Sequence, residues 1–236
     1  MTTKSKIIII SSIIALLVIG AIIAIILVVV TNNKDDDKDN RNNNTDNSTK
    51  NPIINNGSNY SFSFTEKKVI LNNNVTMPII GLGTWTLSNL EAENAVYNAI
   101  KTGFRLIDTA EYYNNEVGVG LGIKKCINEK IISREDVFIT SKIMPGSYSN
   151  PDLAIEDSLK NLDVDYIDLM LIHQPGSNDE KVYKSMEKYY NEGKIKSLGI
   201  SNYYMPNAIE TVLSYAKIMP SIIQNENHIF YQNNEL

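Results

Sequence analysis

Five places in this chain put a polar side chain at the end of a short apolar run: Asp108, Lys142, His173, Ser201-Asn202 and Gln224. Successive places lie 23 to 34 residues apart, the length of one strand–helix unit. Tyr113 follows Asp108 by five residues, on the loop leaving that strand. A carboxylate and an ammonium on neighbouring strand ends can pair. A cation beside a phenol favours phenolate and lowers its pKa from about 10. Tyr113 could then give a proton to a developing alkoxide near neutral pH, as a general acid. His173 offers a second hydrogen bond to the same oxygen and so could orient a carbonyl. Ser201, Asn202 and Gln224 are neutral hydroxyl and amide groups, suited to holding a carboxamide. Each residue alone has an ordinary explanation. Asp108 would be a strand-end acceptor, Lys142 a solvated charge, Tyr113 one of 13 tyrosines and His173 a core or rim histidine. The set outweighs its members, because unrelated polar residues would not share one end of successive strands. His228 is read as structural.

Those side chains need a scaffold of strands and helices. Phe64–Leu71, the turn at 72–74 and Val75–Met77 read as a short hairpin. Strands follow at Ile79–Trp85, Arg105–Thr109, Val137–Ile143, Tyr166–His173, Ile195–Ser201 and Ser221–Asn225. Helices fall between them at Leu90–Thr102, Glu116–Asn128, Pro151–Leu162, Asp179–Asn191 and Pro206–Ala216, with Ser88 as the N-cap of the first. Strict alternation with near-continuous apolar strands means a parallel sheet. No G-x-G-x-x-G follows the first strand, so a doubly wound dinucleotide-binding sheet loses its main support. A barrel gathers the strand ends around one rim, where barrel enzymes do chemistry. The pattern therefore predicts a barrel.

Composition bounds the rest. The chain has 236 residues, 43% of them hydrophobic, which is enough to bury a core and excludes wholesale disorder. Its net charge of −5, with no basic stripe, argues against nucleic-acid binding. One cysteine, Cys126, excludes an intramolecular disulfide framework and any Cys-rich zinc site, and two histidines, His173 and His228, leave little room for a His-built metal centre. Past a tail at 1–6, residues 7–30 are aliphatic apart from Ser11, Ser12 and Gly20. That exceeds the about 20 residues that cross a bilayer and predicts a single-pass signal anchor. Residues 31–59 are Asn, Asp, Lys, Ser and Thr with few apolar residues, a disordered linker in which Asp35–Asp39 is a solvated spacer. Lys4 and Lys6 before the span, against Lys34, Lys38 and Arg41 after it, place the body on the cytoplasmic side. The N-x-[ST] triplets at Asn43, Asn47, Asn56, Asn59 and Asn74 point the other way, but about thirty asparagines produce such triplets by chance.

Several segments together resemble the aldo-keto reductase superfamily. They are Gly81-Leu82-Gly83-Thr84-Trp85, the run Gly103 to Glu116, Thr140-Ser141-Lys142, Leu171-Ile172-His173-Gln174-Pro175, Gly199-Ile200-Ser201-Asn202 and Gln224 to His228. The His-Gln-Pro form is similar to its diketogluconate-reductase-like branch. The resemblance covers about residue 64 to the end, with a domain at 60–236. It implies an NADP-dependent reductase of aldehydes or ketones, using NADP(H), with NAD(H) left open, and no metal. By similarity Tyr113 is the proton donor, tuned by Lys142 and Asp108. His173 orients the substrate beside Trp85. Gly83, Thr84, Asp108, Ser201, Asn202 and Gln224 hold the nicotinamide. Asn114 stands where the family has glycine, and Asn tolerates the left-handed backbone such a turn needs. A (β/α)8 barrel takes about 250 residues. The implied fold is thus a TIM-type barrel lacking the last two strand–helix units, behind a β-hairpin and a transmembrane helix. The residues for the adenosine 2′-phosphate and the C-terminal substrate loop belong to those units. The competing expectation is a catalytically weak or inactive membrane-tethered module, either a truncated fragment or a channel-associated subunit.

Overall fold

A computed structural model describes residues 61–63 and 65–232. The expected tail, membrane span and linker, residues 1–59, lie outside the described residues. Among the described residues no helix is long and apolar enough to cross a membrane.

Three short strands, β1 (Ser61–Ser63), β2 (Lys68–Ile70) and β3 (Thr76–Pro78), form an antiparallel sheet with Val69 opposite Met77. The hairpin was expected, but β1 was not, since Ser-Phe-Ser carries no strand pattern. Six further strands run parallel and pair in chain order: β4 (Leu82–Gly83), β5 (Leu106–Asp108), β6 (Phe138–Ile143), β7 (Leu169–Ile172), β8 (Leu198–Ser201) and β9 (Ile222–Gln224). They are shorter than expected, because the apolar runs continue into bends. The run from Ile79 to Trp85, for example, keeps only two residues in the ladder.

Five helices connect them: α1 (Asn89–Lys101), α2 (Glu116–Asn128), α3 (Pro151–Leu162), α4 (Asp179–Asn191) and α5 (Pro206–Tyr215). The ends of α2, α3 and α4 fall where the sequence puts them. Ser88 caps α1 through a reciprocal capping box with Glu91, whose carboxylate accepts Ser88 N–H at 2.8 Å.

The sheet has two buried faces. Ile107, Ile139, Met170, Ile172, Ile200 and Ile223 pack outward against the helices. Leu106, Phe138, Leu169, Leu171 and Ile222 point inward and meet Val69, Leu71 and Met77 of the hairpin. Side chains alternate along a strand. Asp108, Lys142, His173, Ser201 and Gln224 therefore share the inward face with that second core, at its opposite end. The hairpin closes the apolar floor, and the polar residues stand above it. Strand curl brings them together. Gln224 Nε2 on β9 donates to Asp108 Oδ2 on β5 at 2.8 Å. In a flat sheet these strands would be four spacings apart, about 19 Å. The sheet is thus curled and barrel-like, as expected.

Candidate active site

Asp108 ends β5 and Lys142 lies one strand over in β6, with only 4% and 1% of their surfaces exposed. Lys142 Nζ donates to Asp108 Oδ1 at 2.5 Å, to the Thr109 carbonyl at 2.9 Å and to the Tyr113 hydroxyl at 3.1 Å. These three contacts use all three ammonium protons. Tyr113 sits on a single 3-10 turn, Glu111–Tyr113, which stops at Asn114 in the left-handed region with φ 53°. Asn114 does fill the position that favours glycine. The turn is locked to the loop after β6, because the Glu111 carboxylate accepts Met144 N–H at 3.0 Å and the Ser147 hydroxyl.

His173 follows β7 and turns its ring edge-on to Tyr113, with centroids 5.6 Å apart. Trp85, just past β4, stacks on Tyr112 at 5.6 Å and tilts over Tyr113 at 4.8 Å. Ser201 and Gln224 are register partners on β8 and β9, and the Ser201 hydroxyl donates to the Gln224 carbonyl at 2.8 Å. Asn202, also left-handed, donates Nδ2 to the His173 carbonyl at 2.7 Å. Gly83 pairs with Asp108 in register, and the buried Thr84 donates Oγ1 to the Asp108 carbonyl at 3.0 Å. All of the expected site residues thus gather at one end of the sheet. Among the described residues no group of three His, Cys, Asp or Glu is placed to hold a metal.

Electrostatics sharpen the roles. Burial opposes charge on Lys142, but the Asp108 carboxylate and the Tyr113 oxygen outweigh it and raise its pKa above the ordinary lysine value. Lys142 stays an ammonium. For Tyr113 the expectation needs correction. Burial is the largest influence and pushes the phenol up; Lys142 pulls it down, and Asp108 cancels part of that pull. The net shift is upward, so the phenol keeps its proton at neutral pH.

His173 moves the other way. Burial first and the Lys142 charge second lower it to about 4. The imidazole is therefore neutral near pH 7. Its Nδ1 is buried and has no hydrogen-bond partner among the described residues. An unpaired buried N–H costs about 1–3 kcal/mol, so the proton is assigned to Nε2. An unfolded histidine titrates near about 6.5. As pH falls from 6.5 towards 4 the unfolded chain binds this proton and the folded chain does not, so the stability contributed by neutral His173 is lost over that window. An NMR titration should give His173 a midpoint near 4. A midpoint above 6 would contradict the buried neutral ring.

Two residues that the sequence reading left without a role also shape the site. Glu116, 4% exposed, accepts the Ser141 hydroxyl at 2.6 Å and ties α2 to β6; burial raises its pKa. Asn115, fully buried, makes three hydrogen bonds to segments around Tyr113. Both stand in the Gly103–Glu116 run that carries the family resemblance, but nothing in that run assigned either of them a task.

Comparison with known proteins places relatives beside this chain. The profile of the Aldo/keto reductase family matches residues 79–236. The NAD(P)H-dependent D-xylose reductase I,II of Candida tropicalis is 37% identical, the match covering 70% of this chain and 60% of that protein. The glyoxal reductase of Bacillus subtilis (strain 168) is 44% identical, over 68% of this chain and 58% of its own. Among solved structures, an aldo-keto reductase of Bombyx mori in complex with NADP superposes with a TM-score of 0.64 at 34% identity, covering 68% of this chain and 58% of that one. One from Brucella melitensis superposes at 0.66 with 38% identity, covering 72% and 66%. The chain spans about three-fifths of the length of the curated relatives it matches.

Proposed function

The chain belongs to the aldo/keto reductase family, and from that premise we propose that it reduces an aldehyde or ketone to the alcohol with NAD(P)H, Tyr113 giving the proton. One observation carries the reading. A buried ammonium, Lys142, touches both a carboxylate, Asp108, and a phenol, Tyr113, at the mouth of a curled parallel sheet.

The chain's own groups divide the work. Tyr113 holds a proton at neutral pH and surrenders it only to a strongly basic oxygen. As it does so, Lys142 stabilises the phenolate through a hydrogen bond already made. His173, neutral with Nε2–H, donates to the same carbonyl oxygen and orients it. It does not supply the proton. The residues present fit a nicotinamide. Gln224 has Nε2 committed to Asp108, which leaves Oε1 to accept an amide N–H. Ser201 and Asn202 add hydroxyl and amide groups beside it, and Gly83 and Thr84 lie at the end of β4 next to Asp108. Bound NAD(P)H would supply the hydride to the carbonyl carbon. The names of two relatives, a xylose reductase and a glyoxal reductase, and the NADP complex of a third support this class of reaction.

The test uses the full chain. NADPH should be consumed when an aldehyde is added, and NADPH alone should quench Trp85, the chain's single tryptophan. No consumption of NADPH or NADH with aromatic, aliphatic or dicarbonyl substrates would overturn the proposal.

A further inference from the structure

The segment that carries Trp85 is held in an unfavourable backbone shape. Leu87 N–H donates to the Thr84 carbonyl at 3.1 Å, closing a β-turn with Trp85 and Thr86 at its centre. Thr86 has φ 68°. A positive φ at that third position is the mark of a type II turn, which normally places Gly or Asn there. A β-branched residue with positive φ is an outlier and persists only where its surroundings enforce it.

Asn115 is the enforcing group. Its Nδ2 donates to both ends of the turn, the Thr84 carbonyl at 2.7 Å and the Leu87 carbonyl at 2.9 Å. Its Oδ1 accepts from the Thr109 hydroxyl at 2.8 Å, and the Thr84 hydroxyl, whose proton goes to the Asp108 carbonyl, lies 3.3 Å from the same oxygen. Both amide protons are committed and the residue is wholly buried. Asn115 is also the N-cap of α2, yet its side chain makes no capping bond. Asn89 takes over that task, accepting Gly118 N–H at 2.8 Å. The approach is close enough that a Cβ at Gly118 would fall 2.0 Å from the Asn89 carbonyl oxygen. The cap is thus made from α1, and Asn115 is released to bind the turn.

We infer that Asn115 is a positioning residue which clamps the strained Thr84–Leu87 turn and so fixes Trp85 against Tyr113. The inference rests on the proposed reductase reading for its functional meaning, while the clamp itself is measurable without turnover.

Three full-chain variants test it: Asn115→Ala, Thr86→Gly and the double. With native circular dichroism, Asn115→Ala should raise acrylamide quenching of Trp85 about twofold and lower kcat/KM about tenfold. Its pH profile should not move, because Asn115 does not touch the side chains of Asp108, Lys142 or Tyr113. Thr86→Gly relieves the strain and should raise Tm by about 2–4 °C with Trp85 quenching close to wild type. In the double variant glycine holds the turn unaided, so quenching should return at least halfway. Wild-type quenching in a folded Asn115→Ala, or a double variant that keeps the whole defect, overturns the clamp. Should Asn115→Ala not fold, the Thr86→Gly melting point decides: a rise supports the strained turn and a fall refutes it. These shifts in a chain that consumes no NADPH would overturn the proposed function and leave the clamp standing.

Discussion

Tyr113→Phe is expected to lower kcat by about 10²–10⁴-fold, the range for loss of a general acid, with NADPH affinity within about twofold of wild type. Phenylalanine keeps the ring and with it the contacts to Trp85 at 4.8 Å and His173 at 5.6 Å, so the wall of the site survives. What disappears is the phenolic proton that the proposed mechanism transfers to the product oxygen. His173 cannot replace it, since the ring titrates at about 4 and has no second proton to give at neutral pH. One donor of Lys142 also loses its acceptor, at a cost of about 1–3 kcal/mol. Single-turnover kinetics with saturating NADPH separate the two effects, because the stability loss does not enter the chemical step of folded protein. A variant that turns over within about threefold of wild type would remove Tyr113 from the reaction.

The sequence carried this site unusually far, for a reason visible in its residues. In a parallel sheet built of repeated strand–helix units every strand points the same way, so Asp108, Lys142, His173, Ser201 and Gln224 could be placed at one end of the sheet by counting, while the stagger that pairs Asp108 with Thr140 and Lys142 with Leu171 could not. Helix ends were readable where the chain carries a local signal, such as proline opening α3 or the Ser88–Glu91 capping box of α1. Two things were not readable. The direction of the Tyr113 shift depends on how deeply the phenol is buried, and no spacing encodes burial. The work of Asn115 depends on Asn89 from another helix capping α2 in its place, a contact between residues on separate helices. The strand β1 escaped for a simpler cause: three residues with one apolar side chain carry no periodicity.

Lys142→Met should be the most damaging single change, because in the proposed mechanism one atom serves both stability and chemistry. Methionine nearly matches lysine in volume, so packing is retained and charge is the variable. Its loss leaves the Asp108 carboxylate, 4% exposed, with only the Gln224 amide as a side-chain donor among the described residues. Removing one partner of a buried ion pair costs about 3–5 kcal/mol, a large part of a domain's net stability of about 5–15 kcal/mol. Replacing both partners by apolar groups is far milder. The Asp108→Leu, Lys142→Met double variant should therefore unfold at a denaturant concentration nearer wild type than the single. Because the folded pKa of Lys142 lies above its unfolded value, the stabilisation is fully present below about pH 10.4 and fades only as pH rises through the folded value. The stability gap between wild type and Lys142→Met should accordingly stay flat from neutral pH to about 10 and narrow beyond it. Turnover responds separately. With the ammonium gone, burial acts on Tyr113 unopposed and the phenolate formed on proton transfer has no donor, so kcat should fall about 10³-fold in the single and in the double alike. Restored stability without restored turnover would show that the Asp108–Lys142 pair is kept for the phenol it serves. A double variant that regains turnover would show that the pair is only structural.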